Sequence, residues 1–287
     1  MQRATVLRAA LFAACAAVWV PTVRAQTTIG ADLGLFSSYV WRGLSLTNKP
    51  VAQPDVYVTI PMGNASVTAG GWANFDLGRY NKPSDISESG GTSAFNFAEF
   101  DPWLEVGIPV GKATLTPGIT AYIYPNSAGF TSAFNTVELY LKAALDAPLS
   151  PKVNVYYDVD KVKGLYAEGS ITHSLAASEK VSVNLGALVG VNAGQGVSNN
   201  PGETNNFADD GFTHFDLSAG VPFTAGVLSI TPALHLVIPI DDATKITKID
   251  ATTGLPVSKD AKLWGGVSIA WSRELGPAPE ATDETKP

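Results

Sequence analysis

The side chains able to do chemistry here are carboxylates and tyrosines spaced two apart, with few cations among them. Glu99, Asp101 and Glu105 alternate with apolar residues, as do Glu138, Tyr140 and Lys142, and Tyr156 and Asp158. A spacing of two puts such residues on one face of a strand. The same parity collects Asp32, Arg42, Asp76, Tyr122, Tyr124, Glu168 and Asp216. Nine carboxylates therefore stand against Arg42 and Lys142. Rings of one sign select ions of the other, so such a face around a lumen favours cations. Arg42 is the principal counter-charge, and the tyrosines narrow the lumen or stack on a flat solute. The other outcome open to the same residues is a filled lumen, with the acids paired internally to Arg42, Lys142, Tyr and Thr.

Catalytic and metal-binding patterns are missing. His173, His214 and His235 are the three histidines, and none has a partner at zinc-ligand spacing. His173 and Ser174 point to opposite faces and form no dyad. His214 and Asp216 share a face, which allows a hydrogen bond but supplies no nucleophile. Asp158-Val-Asp160 with Gly164 begins like a calcium loop yet lacks the later acidic ligand. It reads as a hairpin turn with solvated charges. Asp209-Asp210 and Asp241-Asp242 fall in long loops, where solvation is the simpler account and divalent ions bridging lipopolysaccharide the other. Neither an enzyme, a cofactor nor a metal is expected.

The elements that must position the polar face are strands. From Ile29 to Thr47, Ile29, Ala31, Leu33, Leu35, Tyr39 and Trp41 oppose Gly30, Asp32, Gly34, Ser38 and Arg42. The apolar face ends in two amphipathic rings suited to a membrane–water boundary. The theme recurs, and twelve strands are expected: 29–46, 53–60, 66–78, 97–108, 113–124, 135–146, 152–160, 164–175, 181–191, 212–221, 228–239 and 262–273. Residues 137–145 hold good helix formers, but Val137, Leu139, Leu141, Ala143 and Leu145 alternate strictly, which predicts a strand. A strand of about ten residues, tilted, crosses a bilayer core.

Connection lengths separate a membrane barrel from a soluble sandwich. Residues 61–65, 109–112, 146–151, 176–180 and 222–227 are short turns, several with a strand-ending proline and a glycine. Residues 79–96, 125–134, 192–211 and 240–261 are long and polar; 48–52 and 161–163 are short members of that set. Short turns at one rim and long loops at the other describe an outer-membrane barrel with both termini at the short-turn rim. Backbone groups in lipid need protein partners, so the first and last strands should pair. The expected fold is thus all-β: a closed antiparallel up-and-down transmembrane barrel of about twelve strands.

Residues 1–25 read as a signal peptide: Arg3 and Arg8, an apolar run too short to span, then Val23-Arg24-Ala25 as a cleavage site. Removing the leader's three arginines takes the formal charge from −7 to −10 and removes Cys15, the single cysteine. The acidic balance argues against nucleic acid as a partner. Residues 26–273 form the barrel. The last strand ends in Trp271, and residues 274–287, polar and Pro-rich, read as a disordered periplasmic tail.

The segment Ser37-Ser-Tyr-Val-Trp-Arg-Gly-Leu-Ser-Leu-Thr47, with Lys49-Pro-Val-Ala-Gln53, Ala121-Tyr-Ile-Tyr-Pro125 and Asn135-Thr-Val-Glu-Leu-Tyr140, resembles the TorF-type porins of Gram-negative bacteria. These patches cover roughly the first half of the mature chain, and the likeness ends near residue 180. The resemblance implies an outer-membrane barrel with a channel role, and it supplies neither a solute nor catalytic residues. The function expected is passive diffusion of small hydrophilic solutes, with a preference for cations. The alternative is a non-conducting barrel that presents its long loops for adhesion or binding; a soluble secreted β-protein comes third. The partners expected are outer-membrane lipid and lipopolysaccharide, the barrel-assembly machinery during insertion, and the solutes themselves.

Overall fold

The structure is a computed structural model that describes residues 26–87, 93–126, 135–178, 181–198, 201–202 and 204–276. The leader, the chain after Gly276 and parts of the expected loops lie outside the described residues. The wall strands are β1 (Thr27–Phe36), β4 (Val51–Met62), β5 (Ala65–Asp76), β6 (Asn96–Val110), β7 (Ala113–Tyr122) and β8 (Thr136–Leu145). They continue with β9 (Lys152–Asp158), β10 (Leu165–Ala176), β11 (Ser182–Ala193), β12 (Gly211–Gly220), β14 (Leu228–Pro239) and β17 (Lys262–Leu275). Each pairs antiparallel with its neighbour, β12 pairs with β14, and β17 pairs with β1, so the twelve close into a ring. Four short strands lie off the ring's main course. They are β2 (Val40–Trp41), β3 (Leu44–Ser45), β15 (Ile246–Ile249) and β16 (Pro256–Ser258). A fifth, β13 (Phe223–Ala225), extends the turn before β14, and a four-residue helix, α1 (Asp242–Lys245), sits in the last loop. No helix among the described residues is long and apolar enough to cross a membrane.

Period two decides what each strand shows to either side. On β8, Leu139 and Leu141 are about half exposed while Glu138 between β7 and β9 is buried. Val153 and Tyr157 on β9, Leu217 on β12 and Leu234 on β14 repeat the exposed apolar pattern. A sandwich would invert this, with leucines enclosed and carboxylates in solvent. The exterior is therefore a lipid-facing belt, and the polar groups face the lumen. Residues 137–145 are strand, as the alternation requires. Glycines let large lumen rings lie against the wall: a Cβ on Gly118 would fall 2.3 Å from the Tyr140 ring, its partner in register.

The belt gives a direct stability prediction. Leu139→Arg would set a charge among lipid tails near mid-strand, where such substitutions cost about 2–4 kcal/mol. Denaturant unfolding in phospholipid vesicles should show a loss of that order, and an unchanged midpoint would mean that Leu139 does not face lipid.

The first strand departs from the expected 29–46. It ends at Phe36, and Ser37 returns to the wall only through hydrogen bonds with Gly265. Residues 40–45 then form a separate hairpin, β2–β3. Strand parity stops at such a break, so Tyr39 and Trp41 do not form the expected membrane-boundary belt. Tyr39 is buried, and Trp41 packs edge-on to Tyr122 inside the barrel. The expected short connection 48–52 is likewise only the end of a longer loop, 37–50. The last strand runs to Leu275, two residues beyond the expected end of the barrel.

Candidate functional site: a hairpin across the lumen

Loop 37–50 turns inward because its tip is a tight two-residue turn. Arg42 (φ 49°) and Gly43 (φ 82°) both adopt positive φ, as primed hairpin turns demand. Gly43 has a second reason to be glycine: a Cβ there would lie 2.6 Å from the His214 ring. Arg42 tolerates the left-handed backbone, at a cost of about 1–2 kcal/mol, because its side chain is held at the far wall. Around the ring β8 lies five strands from β1, where the loop is rooted, so the hairpin crosses nearly the whole lumen.

At that wall the guanidinium meets Glu138 as a fork: Nη1 donates to Oε1 at 2.8 Å and Nη2 to Oε2 at 2.7 Å. The Tyr122 hydroxyl donates to the same carboxylate at 2.7 Å. The Arg42 and Glu138 side chains are 6% and 3% exposed. Trp41, Tyr156 and Tyr166 place ring faces 4.2, 4.6 and 4.4 Å from the guanidinium carbon. Burial, the largest single influence, lowers the Arg42 pKa, but the charge and hydrogen bonds of Glu138 together with Tyr122 and Tyr166 outweigh it and raise the value above the usual one. The group is a fixed cation. On the other side of the tip, Lys262 of β17 donates to the Gly43 carbonyl and to Ser45 Oγ.

The root of the hairpin is clasped as well. The Tyr39 N–H donates to Thr47 Oγ1 at 3.0 Å, and its hydroxyl donates to Glu99 at 3.1 Å. Residues of the following loop hold Asn48 and Lys49: Ile86 N–H donates to Asn48 Oδ1, and Lys49 pairs with Asp85 at 2.6 Å. Burial, the largest single influence, pushes the Asp85 carboxyl up, yet the hydrogen bonds and charges of Lys49 and Lys82 together outweigh it and leave it below the usual value.

The residues expected to line a pore fall into three groups. Arg42, Tyr122, Tyr156 and Glu138 converge on the hairpin tip, with Glu99 and Asp101 beside them on β6. Asp76 and Asp158 are buried where strands enter loops. Asp158 accepts from the backbone N–H groups of Asp160, Val162 and Lys163, and from Thr136 Oγ1. It therefore anchors its own turn, and the expected solvated turn charge is instead a buried acceptor. The remaining carboxylates, Asp32, Glu105, Glu168 and Asp216, lie partly exposed below the hairpin, towards the short-turn rim. There Lys142 pairs with Glu105 at 2.9 Å, Tyr140 donates to the same Glu105, and Asn154 donates to Glu168. Asp216 bonds His235 at 3.0 Å, not His214, which instead meets Thr213 Oγ1. Tyr124 sits past the end of β7, where its N–H donates to Asn135 Oδ1, and is not on the strand wall.

Three functional side chains escape the sequence reading. Asp55 is paired in register with Asp32, and both border a recess of about 350 Å³ with Gln53, Trp72 and Ser268. Its parity with Gln53, Tyr57 and Thr59 was the available signal. Tyr166 and Lys262 sit at the extreme ends of their strands, where parity gives little warning. Among the described residues no group of three or more His, Cys, Asp or Glu is arranged to hold a metal ion.

The chain is similar to several solved structures. An outer-membrane channel from Pseudomonas putida F1 is similar at a TM-score of 0.50 and 8% identity, over 88% of this chain and 97% of that one. The KdgM porin in complex with disordered oligogalacturonate gives 0.40 and 8%, over 85% and 98%. The translocator domain of the autotransporter NalP from Neisseria meningitidis gives 0.39 and 11%, over 94% and 95%. At such identities the likeness to the Pseudomonas channel is one of fold, that of an outer-membrane barrel. No curated protein matches the sequence. A family described as "Bacterial protein of unknown function (Gcw_chp)" matches residues 22–234.

Proposed function

We propose that this chain, which belongs to the Gcw_chp family of bacterial proteins, is an outer-membrane channel for passive diffusion of small hydrophilic solutes. One observation carries the reading. Below the hairpin the lumen keeps charged groups partly exposed, while the outer face of the same strands is apolar. Asp32 and Asp55 have no cationic partner among the described residues, whereas a barrel that only had to fill itself would pair or bury every such charge. The resemblance to TorF-type porins supports the same role. The solute path narrows at Arg42, and the excess of carboxylates below it favours cations. Insertion into lipid and lipopolysaccharide through the barrel-assembly machinery belongs to this reading.

The second reading is a barrel that conducts nothing and presents its loops for adhesion or binding. The hairpin spanning the lumen favours it. Swelling of liposomes holding the refolded barrel separates the two. Pentose-sized sugars should enter faster than trisaccharides, and a salt gradient should give a reversal potential of cation sign. No swelling with any sugar supports the second reading, and an anion-signed potential removes the cation preference.

A further inference from the structure

The hairpin tip lies in a cage whose walls persist without it. Trp41 travels with the hairpin, but Glu138, Tyr156 and Tyr166 belong to wall strands β8, β9 and β10. A carboxylate presenting two oxygens side by side, flanked by aromatic faces, recognises a guanidinium or a primary ammonium. Beside the cage one buried oxygen is left without a donor. Asp101 is only 8% exposed, and its buried Oδ1 has no hydrogen-bond partner. It lies between the paired positions Phe100–Ile123 and Trp103–Thr120, which sets it next to Tyr122, the hydroxyl donor to Glu138. Arg42 is committed to Glu138 through both terminal nitrogens and does not satisfy Asp101. A carboxyl oxygen shut away from water without a donor is costly, and an added N–H donor would relieve it.

We infer that this cage is a binding site for solutes bearing a guanidinium or primary ammonium group, and that Arg42 occupies it as a tethered surrogate. An entering cation takes the place of Arg42 on Glu138 and releases the hairpin from the wall. A second cationic group on the solute meets Asp101. The inference rests on the channel reading for how the solute arrives, but binding is measurable without transport.

The mature barrel contains no cysteine, so Ser45→Cys gives the hairpin a single thiol at a residue held by Lys262. In the detergent-folded barrel its modification by a neutral thiol reagent reports departure of the hairpin. Agmatine carries a guanidinium and an ammonium. It should accelerate labelling saturably, by about fivefold or more if it shifts the docked population. Neither 1,4-butanediol nor sodium chloride at matched ionic strength should do so. Adding Glu138→Gln should give fast labelling that agmatine no longer changes. Equal rates with and without agmatine, equal acceleration by sodium chloride, or slow labelling in the Glu138→Gln background would each overturn the inference. A barrel that fails to swell liposomes yet passes this test would lose the channel reading alone.

Discussion

Arg42→Ala should raise single-channel conductance several-fold. The hairpin bridges the lumen from β1 almost to the opposite wall, and its far end is held by the fork on Glu138. Removing the guanidinium leaves a buried carboxylate uncompensated, a defect of about 3–5 kcal/mol. Stacking on three rings is lost as well, about 2 kcal/mol for a desolvated cation. The contacts that remain at the tip, Lys262 to the Gly43 carbonyl and Ser45, are few. Undocking lets water reach Glu138, so the variant relieves its own defect by opening. Combining Arg42→Met with Glu138→Leu should behave differently. Well-packed apolar groups often replace a buried ion pair at no cost, so the hairpin should stay docked and conductance near that of the parent. If Arg42→Ala folds, as judged by heat-dependent gel mobility, and conducts no better, the hairpin is not what restricts the lumen.

Neutralising the pair on the opposite wall should change selectivity more than conductance. Asp32 and Asp55 face each other in register across β1 and β4, and among the described residues neither has a cationic partner. They line a recess of about 350 Å³ together with Gln53 and Trp72. Like charges directly opposed destabilise a strand pair by about 0.2–1 kcal/mol. Asp32→Asn with Asp55→Asn should therefore leave the barrel as stable as before or slightly more so. In a potassium chloride gradient the reversal potential should fall towards zero, because a narrow lumen in a low-dielectric wall focuses the field of such charges. An unchanged potential would place the source of any selectivity at the neck around Glu138 instead.

How far the two effects were legible in the chain differs. Asp32 lies in a strand whose alternation is plain, so its side of the wall followed from position. Asp55 was equally legible in principle, by its parity with Gln53 and Tyr57. Alternation marks Arg42 as a counter-charge, but on a strand continuing past Phe36, and that strand does not exist. Its inward direction comes from a turn of two positive-φ residues that leaves the wall altogether. Asp158 shared the parity of the lumen carboxylates, yet its oxygens are spent on the backbone of its own turn. Parity gives the side on which a group emerges and says nothing of what it then meets.

The sequence alone determined the barrel: which side chains look at lipid, which rim carries the loops, and that the ends must pair. Those follow from local geometry, since successive residues of an extended chain alternate by necessity, and from the demand that backbone groups in lipid find partners. Only the tertiary structure decided that loop 37–50 crosses the lumen and that Arg42 lands on Glu138, 96 residues away. That choice depends on which buried carboxylate the closed ring brings within reach of the turn. Closure and register of twelve strands set it jointly, and no local pattern encodes their sum.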